Sequence, residues 1–305
     1  MKTSTRIWLT AFFAFGTIMW SESINGGSWQ VSMLVANLMT LLALCEVFGD
    51  ARPFQVGLYA GAAAISRYDL CLVWPVYFVL LVVKAGGIRR PDAVSDAYRY
   101  ALGLAPAIAI YIGFNECRFG TLPDTGLWRY DPANGNLALT TPPTLFAWRY
   151  FPGNFFTLFY MAPTLMDRFP WIRPLPGGQS ILTTSPAFLL ALRARFWKGG
   201  DAFEGPAAAL PALLDERPAA FARVGGPNFD AVLIAAMALL SSLPVLFYVG
   251  NGMSQFGTRH FVQCFPFLVV LMALGGELDQ MGKVLIVVSV CLIGMGILAM
   301  WRVGL

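Results

Sequence analysis

The chain has little charge. Only 12% of its 305 residues are Asp, Glu, Lys or Arg, whereas 57% are hydrophobic. Soluble domains carry about 25% charged residues, so this composition excludes an ordinary soluble protein. The mean hydropathy of +0.62 indicates an integral membrane protein with several spans. The formal net charge of +4 is too small to indicate a nucleic-acid partner.

Residue types and motifs typical of several enzyme classes are also scarce. His260 is the only histidine, which excludes a metal site built from several histidines. The five cysteines form no CxxC pair. Four of them, Cys45, Cys71, Cys264 and Cys291, lie in apolar runs, where we expect small core residues. We find no P-loop, no G-x-S-x-G motif and no internal repeat, and we predict no metal ligands.

The hydrophobic runs predict an all-α, polytopic bundle of membrane helices that forms one transmembrane domain over residues 1–305. A straight span needs about 20 apolar residues, and only a few runs come near that length. Gly57-x-x-x-Gly61 in the third run predicts a close helix–helix contact, because small residues let two helices approach. The nine apolar segments are 7–20, 31–48, 54–65, 70–83, 100–114, 181–192, 229–249, 261–276 and 284–301.

Basic residues predict the orientation of the bundle. They concentrate in residues 1–6, 84–99 and 193–228, and alternation of the spans puts all three segments on one side. Because basic loops stay in the cytoplasm, we expect a cytoplasmic N-terminus. Residues 195–228 then form a cytoplasmic linker. Residues 115–179 form an extracytoplasmic loop, whose aromatic residues and prolines favour short pieces lying along the membrane–water boundary.

Arg67 is a charge in the middle of the apolar stretch 54–83. An arginine facing lipid at the bilayer centre costs at least ~2.5 kcal/mol, so such a residue normally faces a polar cavity and marks a site. The stretch forms either two thin spans or one re-entrant hairpin, with Arg67 near the external turn. Arg259 opens a later apolar segment on the same face. Two guanidinium groups at apolar borders predict a site for a lipid-linked phosphate.

Each of these residues also has a structural interpretation. Asp69 could neutralise Arg67 locally, Arg259 could anchor a span among lipid headgroups, and His260 could be an ordinary boundary residue. Glu22, in the first external loop, is a candidate general base, and a solvated loop carboxylate is the alternative. The residues that we expect to line a site on this face are Trp29, Asp69, Arg118, Asp124 and His260.

Four local patterns, in this order along the chain, resemble the GT-C superfamily of integral membrane glycosyltransferases. Together they extend over most of residues 15–270. The patterns are FGTIMW at 15–20 with GSW at 27–29, GAAAISR at 61–67, RFG at 118–120 with DTG at 124–126, and QS at 179–180 and SPA at 185–187 with FGTRH at 256–260.

The resemblance implies a GT-C-like transmembrane region in the inner (plasma) membrane of a bacterium. It also implies transfer of a sugar from a polyprenyl-phosphate donor on the extracytoplasmic face. Arg67 and Arg259 would bind the donor phosphate, and the family's mechanism leaves open whether a divalent metal assists. The family's catalytic carboxylate belongs to a segment just before the matched region. It is not carried over to Glu22, and an upstream chain that supplies this segment is a candidate partner.

Two departures from the family pattern accompany this resemblance. Tyr68 and Asp69 follow Arg67 where proline is frequent, and His260 and Gln263 stand where tyrosine and aspartate are common. Other function classes therefore stay open: a transporter or lipid-handling protein, or an inactive remnant. Transporters place ionisable groups near the bilayer midplane and often have repeated halves, whereas the polar residues here gather at one rim.

Overall fold

The structure is a computed structural model that describes residues 1–87, 91–120, 146–175, 177–198, 226–249 and 256–303. Most of these residues are helical, which confirms the predicted all-α class. The strands among them form two short antiparallel pairs: β1 (Thr164–Leu165) with β2 (Ile172–Arg173), and β3 (Trp197–Lys198) with β4 (Gly226–Pro227).

Eleven α-helices occur in the described residues, together with 3₁₀ segments. The 3₁₀ segments are Tyr68–Val73, Trp148–Tyr150, Pro186–Arg193 and Arg259–Cys264. The α-helices are α1 (Thr3–Phe15), α2 (Met19–Asn25), α3 (Ser28–Phe48), α4 (Pro53–Ser66), α5 (Trp74–Lys84), α6 (Ala93–Phe119), α7 (Phe151–Phe159), α8 (Ile181–Thr184), α9 (Phe229–Phe247), α10 (Phe265–Leu274) and α11 (Gln280–Val303).

Four helices are long and apolar enough to cross a membrane: α3, α6, α9 and α11. The bent pair α1 and α2 passes the same test together, which makes up to five spans among the described residues. The other predicted segments form shorter helices, so nine full-length spans are not confirmed. These apolar helices nevertheless identify the chain as a membrane protein.

The bend between α1 and α2 has a local cause. α1 ends at Phe15, and the chain turns at Gly16 before α2 begins, with an angle of 46° between the two helices. The Thr17 hydroxyl donates to the Phe13 carbonyl at 2.8 Å and accepts from the Met19 N–H at 3.3 Å. These bonds satisfy backbone groups that the break would leave open, and α2 can tilt into the bundle.

The small-residue contact predicted at Gly57 and Gly61 is confirmed. A Cβ atom at Gly57 would overlap the Tyr100 carbonyl, and one at Gly61 would lie 2.8 Å from the Ala107 Cβ. From the other side, a Cβ atom at Gly103 would overlap the Phe54 carbonyl. α4 therefore packs directly on α6, and this close pair fixes where the end of α4 lies.

The predicted basic segments meet acidic residues at one end of the bundle, called the basic end. The backbone N–H of Lys2 donates to Glu277 at 2.6 Å, and Thr5 donates to the same carboxylate at 2.7 Å. The hydrogen bond from Thr5, with that from Lys2, lowers the pKa of Glu277 below its ordinary value. Arg193 contacts Asp279 at 3.0 Å. Which side of the membrane this end faces stays a prediction.

The opposite end of the bundle, called the site end, carries the turn after α4, the end of α9 and the segment before α10. Most of the predicted aromatic loop that is described also lies here. α7 is a short helix within this loop, and Phe155 and Phe156 are exposed on it. Its position along the membrane boundary stays a prediction. Residues 121–145 of that loop and residues 199–225 of the predicted linker lie outside the described residues.

The prediction that the cysteines of apolar runs are core residues is wrong for three of the four. Cys264 is buried, whereas Cys45, Cys71 and Cys291 are exposed on the outside of the bundle. The outer surface of a membrane bundle is itself apolar, because it faces lipid. An apolar sequence context therefore does not distinguish a lipid-facing position from a buried one.

Candidate functional site

A cavity of about 180 Å³ lies at the site end. Drug-sized ligands occupy larger pockets, so this volume suits a small polar headgroup. Its walls come from the start of α3, the end of α4 and the residues after it, the end of α9, and the segment before α10. The lining residues are Trp29, Ser32, Ser66, Arg67, Tyr68, Asp69, Phe146, Pro244, Val245, Tyr248 and His260.

Arg67 lies where the helical path of the chain breaks. α4 ends at Ser66, Arg67 is extended with φ −147° and ψ 101°, and a 3₁₀ segment begins at Tyr68. The backbone N–H of Arg67 still donates to the Ala63 carbonyl, and its own carbonyl accepts from the Leu70 N–H at 3.0 Å. Both backbone groups of Arg67 therefore have hydrogen-bond partners at the break. The predicted turn at Arg67 is confirmed, and its side chain is only 14% exposed.

The Arg67 guanidinium contacts two predicted site residues. Its Nη2 lies 3.4 Å from the Nδ1 atom of His260, and its Nε lies 4.0 Å from a carboxylate oxygen of Asp69. A guanidinium can only donate, so Nδ1 of His260 accepts and carries no proton in this arrangement. The long distance to Asp69 leaves Arg67 with donors that a ligand can use.

Arg259 directly precedes the same histidine in the chain. It opens the 3₁₀ segment Arg259–Cys264, and both Arg259 and Arg67 act electrostatically on the His260 ring. Arg259 does not belong to the cavity wall. Its Nε atom is buried and has no hydrogen-bond partner among the described residues. Two guanidinium groups therefore act on His260, and of these two only Arg67 is among the described residues of the cavity wall.

Glu22 corrects a sequence interpretation. The alternative of a solvated loop carboxylate is wrong, because Glu22 lies within α2 and is only 2% exposed. Its Oε2 atom has no hydrogen-bond partner in the described part of the chain, and Arg259 is the charge that acts on it. The carboxylate is therefore buried within electrostatic reach of Arg259.

Gln263 is a further polar group that sequence reasoning noted only as a departure from a family pattern. It follows Arg259 by four residues and is buried, and its side-chain amide acts on the carboxylate of Asp69 as a hydrogen-bonding neighbour. Gln263 therefore lies behind a residue of the cavity wall, where a buried amide finds a polar neighbour. A glutamine inside an apolar run was the signal that could have identified it.

Aromatic residues form the rim of the cavity. Trp29 is 63% exposed, and Tyr68 and Phe146 are also exposed. The Tyr248 ring lies 5.5 Å from that of Phe146 and 5.8 Å from that of His260, measured between centroids. The sequence predicted Trp29, but nothing in it placed Phe146 or Tyr248 beside the histidine, because they come from separate segments.

The structure does not bring every predicted residue to the cavity. Arg118 lies at the end of α6, with its guanidinium 5.5 Å from the Phe114 ring and 5.2 Å from the Phe119 ring, outside the cavity wall. Asp124 lies outside the described residues. Within the described ranges, no three His, Cys, Asp or Glu side chains gather in a way that could hold a metal ion.

Comparison with protein-family models, with curated proteins and with solved structures finds no match to this chain. The function is therefore argued from the chemistry of the site.

Proposed function

We propose that the chain is a membrane glycosyltransferase that uses a polyprenyl-phosphate-linked sugar on the extracytoplasmic face. The observation that carries this proposal is the convergence of Arg67 and Arg259 on His260 beside a cavity with an exposed aromatic rim. Guanidinium groups suit a phosphate because each can donate parallel hydrogen bonds to two of its oxygens.

The rim supports a ligand with a lipid tail. Trp29, Tyr68 and Phe146 are exposed at the mouth of the cavity, and aromatic residues favour the boundary between membrane and water. The headgroup would enter the cavity and contact Arg67, while the polyprenyl tail stays in the bilayer. The small volume of about 180 Å³ is consistent with this division, since only the polar end has to fit.

In the proposed reaction, an acceptor hydroxyl oxygen bonds to the anomeric carbon of the donor sugar. The bond from that carbon to the phosphate oxygen breaks, and its electron pair stays on the polyprenyl phosphate that leaves. Arg67 and Arg259 stabilise the negative charge that develops on this leaving group. The hydroxyl proton passes to a general base. Glu22 stays a candidate for this role, because it is a buried carboxylate without a hydrogen-bond partner for Oε2 among the described residues.

Substitution of the two arginines tests the proposal. The full chain in lipid nanodiscs is incubated with a panel of farnesyl-phosphate-linked sugars, and release of farnesyl phosphate is measured by mass spectrometry. Arg67→Ala and Arg259→Ala should each lower turnover about a hundredfold, the usual loss when one donor to a developing anion is removed. Arg168→Gln, an exposed arginine in the β1–β2 turn, is the control. Unchanged turnover in both alanine variants excludes the phosphate role.

One observation favours a second candidate, a lipid-handling protein without chemistry. Among the described residues of the cavity wall, Asp69 is the only carboxylate, and it faces Arg67 at 4.0 Å. If Asp69 serves only to balance the charge of Arg67, the cavity would bind a lipid phosphate without transferring its sugar. Binding of farnesyl phosphate with no turnover of any linked sugar would favour this function.

A further inference from the structure

Gln179 connects two of the sequence patterns that are far apart in the chain. It is 0% exposed, although it lies in the irregular segment between β2 and α8. Its side-chain oxygen accepts from the Gly257 N–H at 2.6 Å, and its side-chain nitrogen donates to the Leu175 carbonyl at 3.2 Å. Its backbone N–H donates to the Gly257 carbonyl at 3.3 Å, and its carbonyl accepts from the Thr258 hydroxyl at 2.8 Å.

The hydrogen bonds of Gln179 to Gly257 and Thr258 hold the residues just before Arg259 in place. Gly257 has a φ of +84°, which favours glycine, and a Cβ atom there would lie 2.5 Å from Ile18. The neighbouring Phe256 is buried against Gly296 of α11. Residues 256–258 are therefore fixed by Gln179 on one side and by packing on two others.

The hydrogen bonds from Gln179 to Gly257 and Thr258 also bear on the position of Arg259 at the proposed anion site. The Arg259 Nε atom has no hydrogen-bond partner among the described residues, so no bond at that atom fixes the side chain. The backbone that carries Arg259 is the part that is held firmly, and it is held through Gly257 and Thr258. A buried N–H at Gly257 would also lack a partner without Gln179, which is costly in an apolar interior.

We infer that Gln179 is the positioning residue for Arg259 and His260, acting through the backbone of Gly257 and Thr258. This inference rests on the proposed function, because it takes the Arg67–Arg259 pair to be the phosphate site. Gln179 itself does not contact the ligand. It sets the place of the second guanidinium and of the histidine on which both guanidinium groups converge.

The test compares binding of farnesyl phosphate with binding of farnesol to the full chain in nanodiscs. The ratio of the two affinities measures recognition of the phosphate and is insensitive to a general loss of stability. Gln179→Met keeps the side-chain volume and removes both side-chain hydrogen bonds. It should lower the ratio about tenfold, and the milder Thr258→Val about threefold, as expected for the loss of buried hydrogen bonds.

Thr5→Val is the matched control. Thr5 is also buried and hydrogen-bonded, to Glu277, but at the basic end. It should lower the thermal midpoint and leave the affinity ratio unchanged. Arg67→Gln and Arg259→Gln report on the proposed function, and each should lower the ratio at least as much as Gln179→Met.

The outcomes separate the two proposals. If both arginine variants lower the ratio of the two affinities while Gln179→Met and Thr258→Val leave it unchanged, the positioning role is wrong and the phosphate site stands. If the unmodified chain does not distinguish farnesyl phosphate from farnesol, the proposed function fails, and the inference fails with it. A lower affinity ratio in all four variants, with the ratio of Thr5→Val unchanged, supports both the phosphate site and the positioning role of Gln179.

Discussion

At the scale of single residues, charges of opposite sign are matched around the cavity. Arg67 faces Asp69 at 4.0 Å, and Arg259 acts on the buried Glu22. Each carboxylate reduces the attraction that its arginine exerts on an anion. The matching also limits the cost of placing a guanidinium in an apolar bundle. The carboxylates would thus lower the affinity of the site for an anion and stabilise the site when no anion is bound.

This arrangement predicts the effect of Asp69→Asn. Removing the negative charge should strengthen binding of farnesyl phosphate roughly fivefold, the scale of one screened neighbouring charge. The dissociation constant is measured in nanodiscs at low and high salt, and the gain should shrink as salt rises. Asp230→Asn is the control, since Asp230 pairs with Lys84 at 2.9 Å away from the cavity wall. Weaker binding by Asp69→Asn would show that Asp69 holds Arg67 in place.

At the scale of elements, helix contacts decide where the ends of the site lie. α4 packs on α6 through Gly57, Gly61 and Gly103, and its end presents Arg67. The sequence predicted this contact from Gly57-x-x-x-Gly61, because small residues at that spacing share a helix face. It did not identify α6 as the partner, although Gly103-x-x-x-Ala107 has the same small-residue spacing, because such a motif does not say which helix it meets.

Gly103→Ala should therefore separate α4 from α6. A Cβ atom there would overlap the Phe54 carbonyl and lie 2.8 Å from the Leu58 nitrogen, neither of which can move without its helix. We expect a loss of about 1–3 kcal/mol in the free energy of unfolding, measured by titration with SDS in mixed micelles. Gly113→Ala on the same helix meets nothing within 4 Å and should be neutral or slightly stabilising. Equal effects of the two substitutions would contradict the close contact.

A second element contact closes the site end. Asn154 of α7 is buried, and its side-chain N–H groups face the carbonyls of Val245, Leu246 and Tyr248 at 2.9, 3.1 and 2.7 Å. The first two carbonyls belong to the last turn of α9 and the third follows it, where helical partners run out. Asn154 thereby attaches the segment 146–159, which includes Phe146 of the cavity wall, to the end of α9.

Asn154→Asp should release that segment. A carboxylate has nearly the same size but offers no N–H groups, and its charge would face carbonyl oxygens. We expect trypsin to cleave after Arg149 about tenfold faster in detergent, because local opening becomes easier. Gly153→Ala, where a Cβ atom meets nothing within 4 Å, is the control and should be cleaved at the original rate. Cleavage of Asn154→Asp at the original rate would show that the ring contacts of α7 suffice.

At the scale of the whole molecule, the two ends differ in chemistry. The basic end is tied by ion pairs such as Arg193 with Asp279, and the site end by aromatic contacts and buried amides. The predicted orientation places the basic end in the cytoplasm, following the excess of Lys and Arg in cytoplasmic loops. The site end would then face the extracytoplasmic side, as the proposed reaction needs.

Single-cysteine labelling tests this orientation. Ser23 at the site end and Asp50 after α3 are both exposed, and each is changed to Cys in a chain without other cysteines. In intact bacterial spheroplasts, a membrane-impermeant maleimide should label Ser23→Cys and leave Asp50→Cys unlabelled until the membrane is permeabilised. The reverse pattern would place the cavity in the cytoplasm and exclude the extracytoplasmic reaction.

The sequence alone determined that this is a helical membrane protein and that Arg67 marks a polar site. Both conclusions depend on local properties: hydropathy along the chain, and the cost of a charge in lipid. Only the tertiary structure decided which groups meet Arg67. His260 lies 193 residues further along the chain, and Gln179 reaches Gly257 across 78. It also decided that Glu22 is buried. Such contacts depend on how distant helices pack, and no pattern within a short window of residues encodes that packing.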